Sequence, residues 1–141
     1  MNFLLDTNVV SEWAKPRPDS GVVAWFANAD EDRVFISVVT LAELRHGIDR
    51  MPVGARRERL DDWLTEQVPA RFEARLLPVD AETANSWGRV MARGQAAGRP
   101  VGTMDAFIAA TAERHALTLV TRNVSDFDAL GVRLINPWSN G

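Results

Sequence analysis

Short apolar runs alternate along this chain with longer stretches in which apolar residues recur at helical spacing. Phe3-Leu4-Leu5 reads as a buried strand ending at Asp6, and Val34-Phe35-Ile36 as a second ending at Ser37. Arg75 to Val79 is predicted as a third, in which Pro78 points to a free sheet edge. Leu117 to Val120 is a fourth, ending at Thr121, and Val132 to Ile135 a fifth, stopped by Asn136-Pro137. Helices are predicted between them. Val9 to Lys15 ends before Pro16, and the next helix, carrying Val22, Val23, Trp25 and Phe26, is capped by Asp19 or Ser20. Val38 to about Met51 follows, then a charged segment from about Gly54 to Gln67 bounded by Pro52 and Pro69. Ala81 to Ala97 has Asp80 as its cap and Gly98 beyond its end, and Thr103 to His115 leads straight into the fourth strand.

Continuous apolar strands alternating with helices predict an α/β fold. Its expected form is a three-layer α/β/α sandwich with a mainly parallel sheet of about five strands. In such sheets ligands bind beyond the carboxyl ends of the strands. With 141 residues the chain has the size of a single domain, 1–141, able to bury a core. Hydrophobic residues at 46% and charged residues at 25% fit a globular protein. No apolar run approaches the ~18 residues of a membrane helix, and the first residues lack the basic start of a signal peptide. A cytoplasmic protein with no membrane partner is expected. The absence of Cys excludes disulfides, thiolate metal sites and Cys nucleophiles. The net charge of −3 argues mildly against a nucleic-acid partner, though all 16 basic residues but Lys15 are arginine, suited to phosphate.

The predicted elements gather acids on one rim. Asp6 follows the first strand, and Glu43 lies in the first turns of the helix after the second. Asp105 lies in the first turn of the helix from Thr103; the short link to the fourth strand makes the two antiparallel and returns that turn to the carboxyl edge. Asp126 follows the fourth strand. Like charges at close range raise one another's pKa, and a divalent cation relieves them. Oxygen ligands without Cys or a His set favour Mg2+ or Mn2+ over Zn2+. Two such ions ~3.5–4 Å apart suit in-line phosphodiester hydrolysis. Each acid also has a structural reading. Asp6 or Asn8 can cap the following helix, and Thr40-Leu41-Ala42-Glu43 matches a capping box. Asp105 can complement a helix dipole, and Asp126 can cap the turn at Phe127 to Leu130. Four acids on one edge favour the functional reading.

These residues also carry a family likeness. Phe3-Leu4-Leu5-Asp6-Thr7-Asn8 resembles the opening of PIN domains, especially VapC-type toxins and the similar FitB-like branch. Ile36 to Gly47, Asp105 to Ala110, and Leu119 to Asn123 with Asp126-Phe127 resemble the family's next three motifs, and Ile135-Asn136-Pro137-Trp138 its usual ending. The resemblance spans essentially the whole chain. It implies a single PIN domain acting as a metal-dependent endoribonuclease, the toxin of a toxin–antitoxin pair. Asp6, Glu43, Asp105 and Asp126 would be the catalytic metal-binding acids, with Asp6 and Asp105 the most direct ligands and Asp128 a lesser candidate. Thr7, Asn8, Thr121 and Asn123 would orient carboxylates or touch phosphate. The implied partners are an RNA substrate, a small DNA-binding antitoxin whose tail lies over the site, and a second copy of the chain.

Other readings fit less well. A haloacid-dehalogenase-type phosphatase needs a second Asp where this chain has Asn8, and it and a receiver domain need a Lys absent beyond Lys15. A flavodoxin-like domain needs a phosphate loop, and no glycine-rich fingerprint occurs. A non-catalytic interaction module with a vestigial pocket remains the alternative. Trp13, Trp25, Trp63 and Trp87 are expected mainly in the core, and Arg56, Arg57, Arg59, Arg71 and Arg75 either grip RNA or form a solvated face.

Overall fold

Residues 1–139 are described by a computed structural model of the chain. Asn140 and Gly141, included in the expected domain, lie outside the described residues. Five strands form one sheet: β1 (Phe3–Leu5), β2 (Val34–Ser37), β3 (Leu76–Leu77), β4 (Thr118–Val120) and β5 (Leu134–Ile135). Their order is β3-β2-β1-β4-β5, and every pairing is parallel. The chain fills the sheet outward from β1 in one direction with β2 and β3, and in the other with β4 and β5. The direction of winding therefore changes between β1 and β4, where an open α/β sheet leaves a crevice at its carboxyl edge.

Side chains alternate across the strands, so each strand feeds two cores. Leu4 and Leu119 point to one face, where they meet Val90 of α6 (Ala81–Ala96) and Ala106, Ile108, Ala109 and Ala110 of α7 (Thr103–Arg114). Leu5, Ile36 and Val120 point to the other. There they meet Val9 and Val10 of α1 (Thr7–Trp13), Val22 of α2 (Ser20–Asn28) and Leu44 and Ile48 of α3 (Val38–Asp49). Leu64, Val68 and Phe72 complete that layer. The three-layer α/β/α sandwich is thus present, with apolar strands because both faces are covered.

Several boundaries differ from the sequence expectation, each for a local reason. β3 is only two residues long and lies at the edge: Pro78 has no N–H to extend the ladder, and Arg75 is drawn into a tight turn over Glu73–Arg75. α1 begins at Thr7 because the Asp6 carboxylate accepts the Thr7 N–H and caps it. The charged segment does not stop before Pro69. After α4 (Ala55–Asp62) the chain widens into a π turn over Trp63–Gln67 and continues as α5 (Val68–Phe72). The Val68 N–H reaches Trp63 O, five residues back, and the wider turn makes room for the proline ring.

Two backbone features hold the frame of the crevice. α7 ends with Leu117 N–H bonded to Ala112 O at 2.8 Å and Ala116 N–H to Glu113 O at 3.3 Å, a Schellman closure with Ala116 at φ 53°. This two-bond lock turns the chain directly into β4. At the start of α2, Gly21 lies under the backbone after β5. A Cβ there would overlap Pro137 O and Ser139 N, so only glycine admits this approach.

Trp13, Trp25, Trp63 and Trp87, expected mainly in the core, are half-buried and pack against its margin. Trp25 meets Phe3 edge-on at 5.2 Å, Trp13 stacks on Phe26 at 5.4 Å, and Trp87 stacks on Phe107 at 5.3 Å. Most of the suspected arginine face is structural. Arg71 lies 4.4 Å over Trp13 and pairs with Glu31 at 2.8 Å. Arg75 donates to Glu31 O, Val34 O and Arg71 O, and Arg57 to Met51 O.

Candidate active site

Asp6 stands one residue beyond β1, at the point where the winding reverses. Its N–H still bonds Val120 O at 2.9 Å, which places it beside Thr121 at the end of β4. Thr121 Oγ1 donates to Asp6 Oδ2 at 2.7 Å, and the Thr7 N–H to Oδ1 at 2.8 Å. Thr121 Oγ1 in turn accepts the Asn123 N–H at 3.0 Å. The carboxylate is therefore fixed through both oxygens. Asp6 is only 5% exposed, and burial raises its pKa; the Thr121 and Thr7 hydrogen bonds oppose the rise, and the charges of Glu43 and Asp126 add to it.

Glu43 reaches the same rim from α3. The cap of this helix is Ser37, whose Oγ accepts the Val39 N–H at 3.0 Å. Thr40 is inside the helix, so the capping box considered as the structural reading of Glu43 does not form and Glu43 is not used as a cap. Thr7 Oγ1 donates instead to Glu43 Oε1 at 2.5 Å, and the buried Thr40 hydroxyl lies 3.2 Å from Thr7 Oγ1. Asp6 and Glu43 are thus tied to two donors of one residue, Thr7. The backbone N–H holds one acid and the side-chain hydroxyl the other. Thr7 was expected from the family likeness to orient carboxylates, and its hydroxyl reaches Glu43 36 residues away; Thr40 had no sequence signal.

Asp105 is in the first turn of α7 and is half-buried. Its pKa is raised to about 6, by burial first and then by the charges of Asp6, Glu43 and Asp126. Asp126 lies exposed in α8 (Val124–Phe127). The turn after it has no side-chain cap, so the structural role considered for Asp126 is absent. Its charge acts on both Asp6 and Asp105. The four predicted acids therefore share one field. Asp128 does not join them, because Arg99 pairs with it at 2.5 Å. Asn8 Oδ1 accepts the Arg122 N–H at 3.4 Å, tying α1 to the loop after β4. Asn123 contributes through its backbone, and the structure gives its exposed side chain no partner among the described residues.

The donor set fits a hard divalent cation: carboxylate oxygens, with two of the carboxyls raised in pKa by burial and then by their neighbours' charges. Among the described residues no three acidic or histidine side chains close into a cage around a single point. An Mg2+ that keeps several waters needs none. From Thr7 and Glu43 a groove of about 670 Å3 leads away between α1, α3 and α4. Leu44, Ile48 and Trp63 line it, with Arg56 and Arg59 also along its wall.

The model of the PIN domain matches residues 3–132. The chain belongs to the PIN-domain family. A VapC ribonuclease (Y4jK) of Sinorhizobium fredii is 39% identical over 136 residues, covering 96% of this chain and 97% of that protein. The toxin FitB of Neisseria gonorrhoeae is 36% identical, covering 96% and 98%. The crystal structure of FitAcB from Neisseria gonorrhoeae superposes with a TM-score of 0.91 at 36% identity, covering 97% of this chain and 99% of that one.

Proposed function

We propose that this chain is the toxin of a toxin–antitoxin pair and an Mg2+-dependent endoribonuclease, with Mn2+ as a substitute ion. The observation that carries this reading is the shared electrostatic field of Asp6, Glu43, Asp105 and Asp126 beside the reversal point, in which Asp105 is pushed to about 6, by burial first and then by the other three. Relatives named as a ribonuclease and as a toxin over nearly the full chain support it.

Asp6 and Asp105 would hold the ion, with Glu43 and Asp126 completing its surroundings. When bound, the ion would polarise the phosphoryl oxygen and make a nearby water more acidic. The chain's own residues do the rest. Thr121 and the Thr7 N–H fix the Asp6 carboxylate, so its free lone pairs face the rim without rotation. Thr7 occupies Glu43 Oε1, leaving Oε2 to orient an attacking water and take its proton. Asp105 responds most to an approaching cation, since a positive charge offsets the burial and the neighbouring negative charges that raise its pKa.

The groove supports an inhibitory partner. Its apolar wall suits a segment of a small DNA-binding antitoxin, and its end at Thr7 and Glu43 lets a partner arginine neutralise the acids. A homodimer and a cytoplasmic location complete the proposal; among the described residues no helix is long and apolar enough to cross a membrane. The test is cleavage of a structured RNA by antitoxin-free protein. Cleavage is expected with Mg2+ or Mn2+ and absent in Asp6→Asn. Retained cleavage in excess EDTA refutes the metal mechanism. Expression of the chain alone is expected to arrest growth, and Asp105→Asn to relieve it.

A further inference from the structure

A second recess, of about 460 Å3, lies at the loop that follows β4. Glu12, Lys15, Arg17, Asp19, Arg122 and Trp138 line it. Both of its carboxylates are already used. Glu12, 7% exposed, accepts Lys15 Nζ at 2.8 Å and the Asp19 N–H at 2.9 Å. Asp19 accepts the Gly21, Val22 and Ser139 N–H groups at 2.8, 3.3 and 2.9 Å, and Ser139 Oγ at 2.7 Å. The two guanidiniums differ. Among the described residues neither Arg17 nor Arg122 makes an ion pair or a side-chain hydrogen bond. Arg122 is nonetheless held in place: its guanidinium lies 5.3 Å over the Trp138 ring, and its backbone N–H bonds Asn8.

The position of the recess matters as much as its charge. Arg122 directly follows Thr121, the residue that fixes Asp6, and Asn8 joins the loop to α1. Seven of the 16 Lys and Arg side chains form ion pairs among the described residues; Arg17 and Arg122 are among those left unneutralised, and Arg122 is one residue from Thr121 of the acidic centre. We propose that Arg17 and Arg122 form a phosphate subsite that holds the backbone of the RNA strand next to the bond being cut. The inference rests on the nuclease reading. It also resolves the conflict between a net acidic chain and a polyanionic substrate. The acids need a cation, and phosphates flanking the cut are met by guanidinium forks. Arg122, pre-set on Trp138, loses little freedom on binding.

The test uses the full chain in the cleavage-dead Asp105→Asn background and a short fluorescein-labelled single-stranded RNA, read by anisotropy over a salt series. Arg17→Gln and Arg122→Gln are each expected to raise Kd about three- to tenfold and to lower the slope of log K against log salt by about 0.7. Arg33→Gln, at the opposite edge before β2, removes the same charge and is expected to change neither. Arg17 makes no contact that the fold needs, so its variant reports on RNA even if Arg122→Gln loosens Trp138. Unchanged Kd and slope in Arg17→Gln overturn the subsite. The same holds if both variants weaken capture of an antitoxin while RNA binding stays as it was. Failure of the wild-type chain to cleave any RNA would instead refute the nuclease reading, and the binding comparison would still decide the subsite.

Discussion

Asp105→Asn should make the metal-free protein more stable and the metal-loaded protein less stable. The Asp105 carboxyl is raised from 3.8 to about 6, and no hydrogen bond contributes to its shift. Between those values the folded state binds more protons than the unfolded one. Stability of the metal-free protein therefore falls as pH rises through that window, and the cost is fully present above it. A rise of this size corresponds to at most about 3 kcal/mol, and solvent screening of a half-buried group reduces it to about 1–2 kcal/mol. Asn keeps the shape and removes the charge. Urea unfolding in EDTA at neutral pH should show Asp105→Asn more stable by about 1–2 kcal/mol, with the gain fading as pH falls toward 4. With Mg2+ at a hundred times its Kd, the wild type should gain about 2.7 kcal/mol that the variant lacks, so the order reverses. A variant less stable than wild type in EDTA at neutral pH would show that the carboxylate is a structural support, and the reasoning would fail.

Three other changes probe the supports of the site. Thr121→Val removes the donor to buried Asp6 and is expected to cost about 1–3 kcal/mol in neutral buffer, measured by urea unfolding; an unchanged midpoint would mean that Asp6 does not depend on it. Gly21→Ala forces a Cβ into the backbone at Pro137 and Ser139 and is expected to cost about 1–3 kcal/mol; a melting temperature equal to wild type would contradict the close approach. Ala116→Gly relieves a left-handed residue in the Schellman closure and is expected to stabilise by about 0.5–1 kcal/mol; a loss of stability in thermal unfolding would count against the strain.

The strands and their terminal acids were legible because each apolar run stops at a polar residue that meets the sheet edge. Asp6 after Leu5 and Thr121 after Val120 are both of this kind. The parallel order followed from helices interposed between strands that are apolar throughout. What stayed hidden depends on contacts between distant segments. Nothing in Thr40-Leu41-Ala42-Glu43 excludes a capping box; only the position of Ser37 at the end of β2 moves the cap three residues upstream. Pro69 reads as a helix stop unless a π turn absorbs it. Asp128 stays a lesser candidate beside Asp126 in the sequence until Arg99, 29 residues away, takes it. The arginine-rich stretch could not be divided into structural and free groups, because Arg71 and Arg75 find their partners in Glu31, Val34 and Trp13.

The central claim is that the fold gathers four acids whose repulsion a divalent cation relieves. Titration of Mn2+ into the purified chain, with bound ion followed by electron paramagnetic resonance, tests this without RNA or antitoxin. Saturable binding is expected in the wild type, with a large loss of affinity in Asp6→Asn and in Asp105→Asn. Equal Mn2+ binding by all three proteins would place the ion elsewhere and contradict the account.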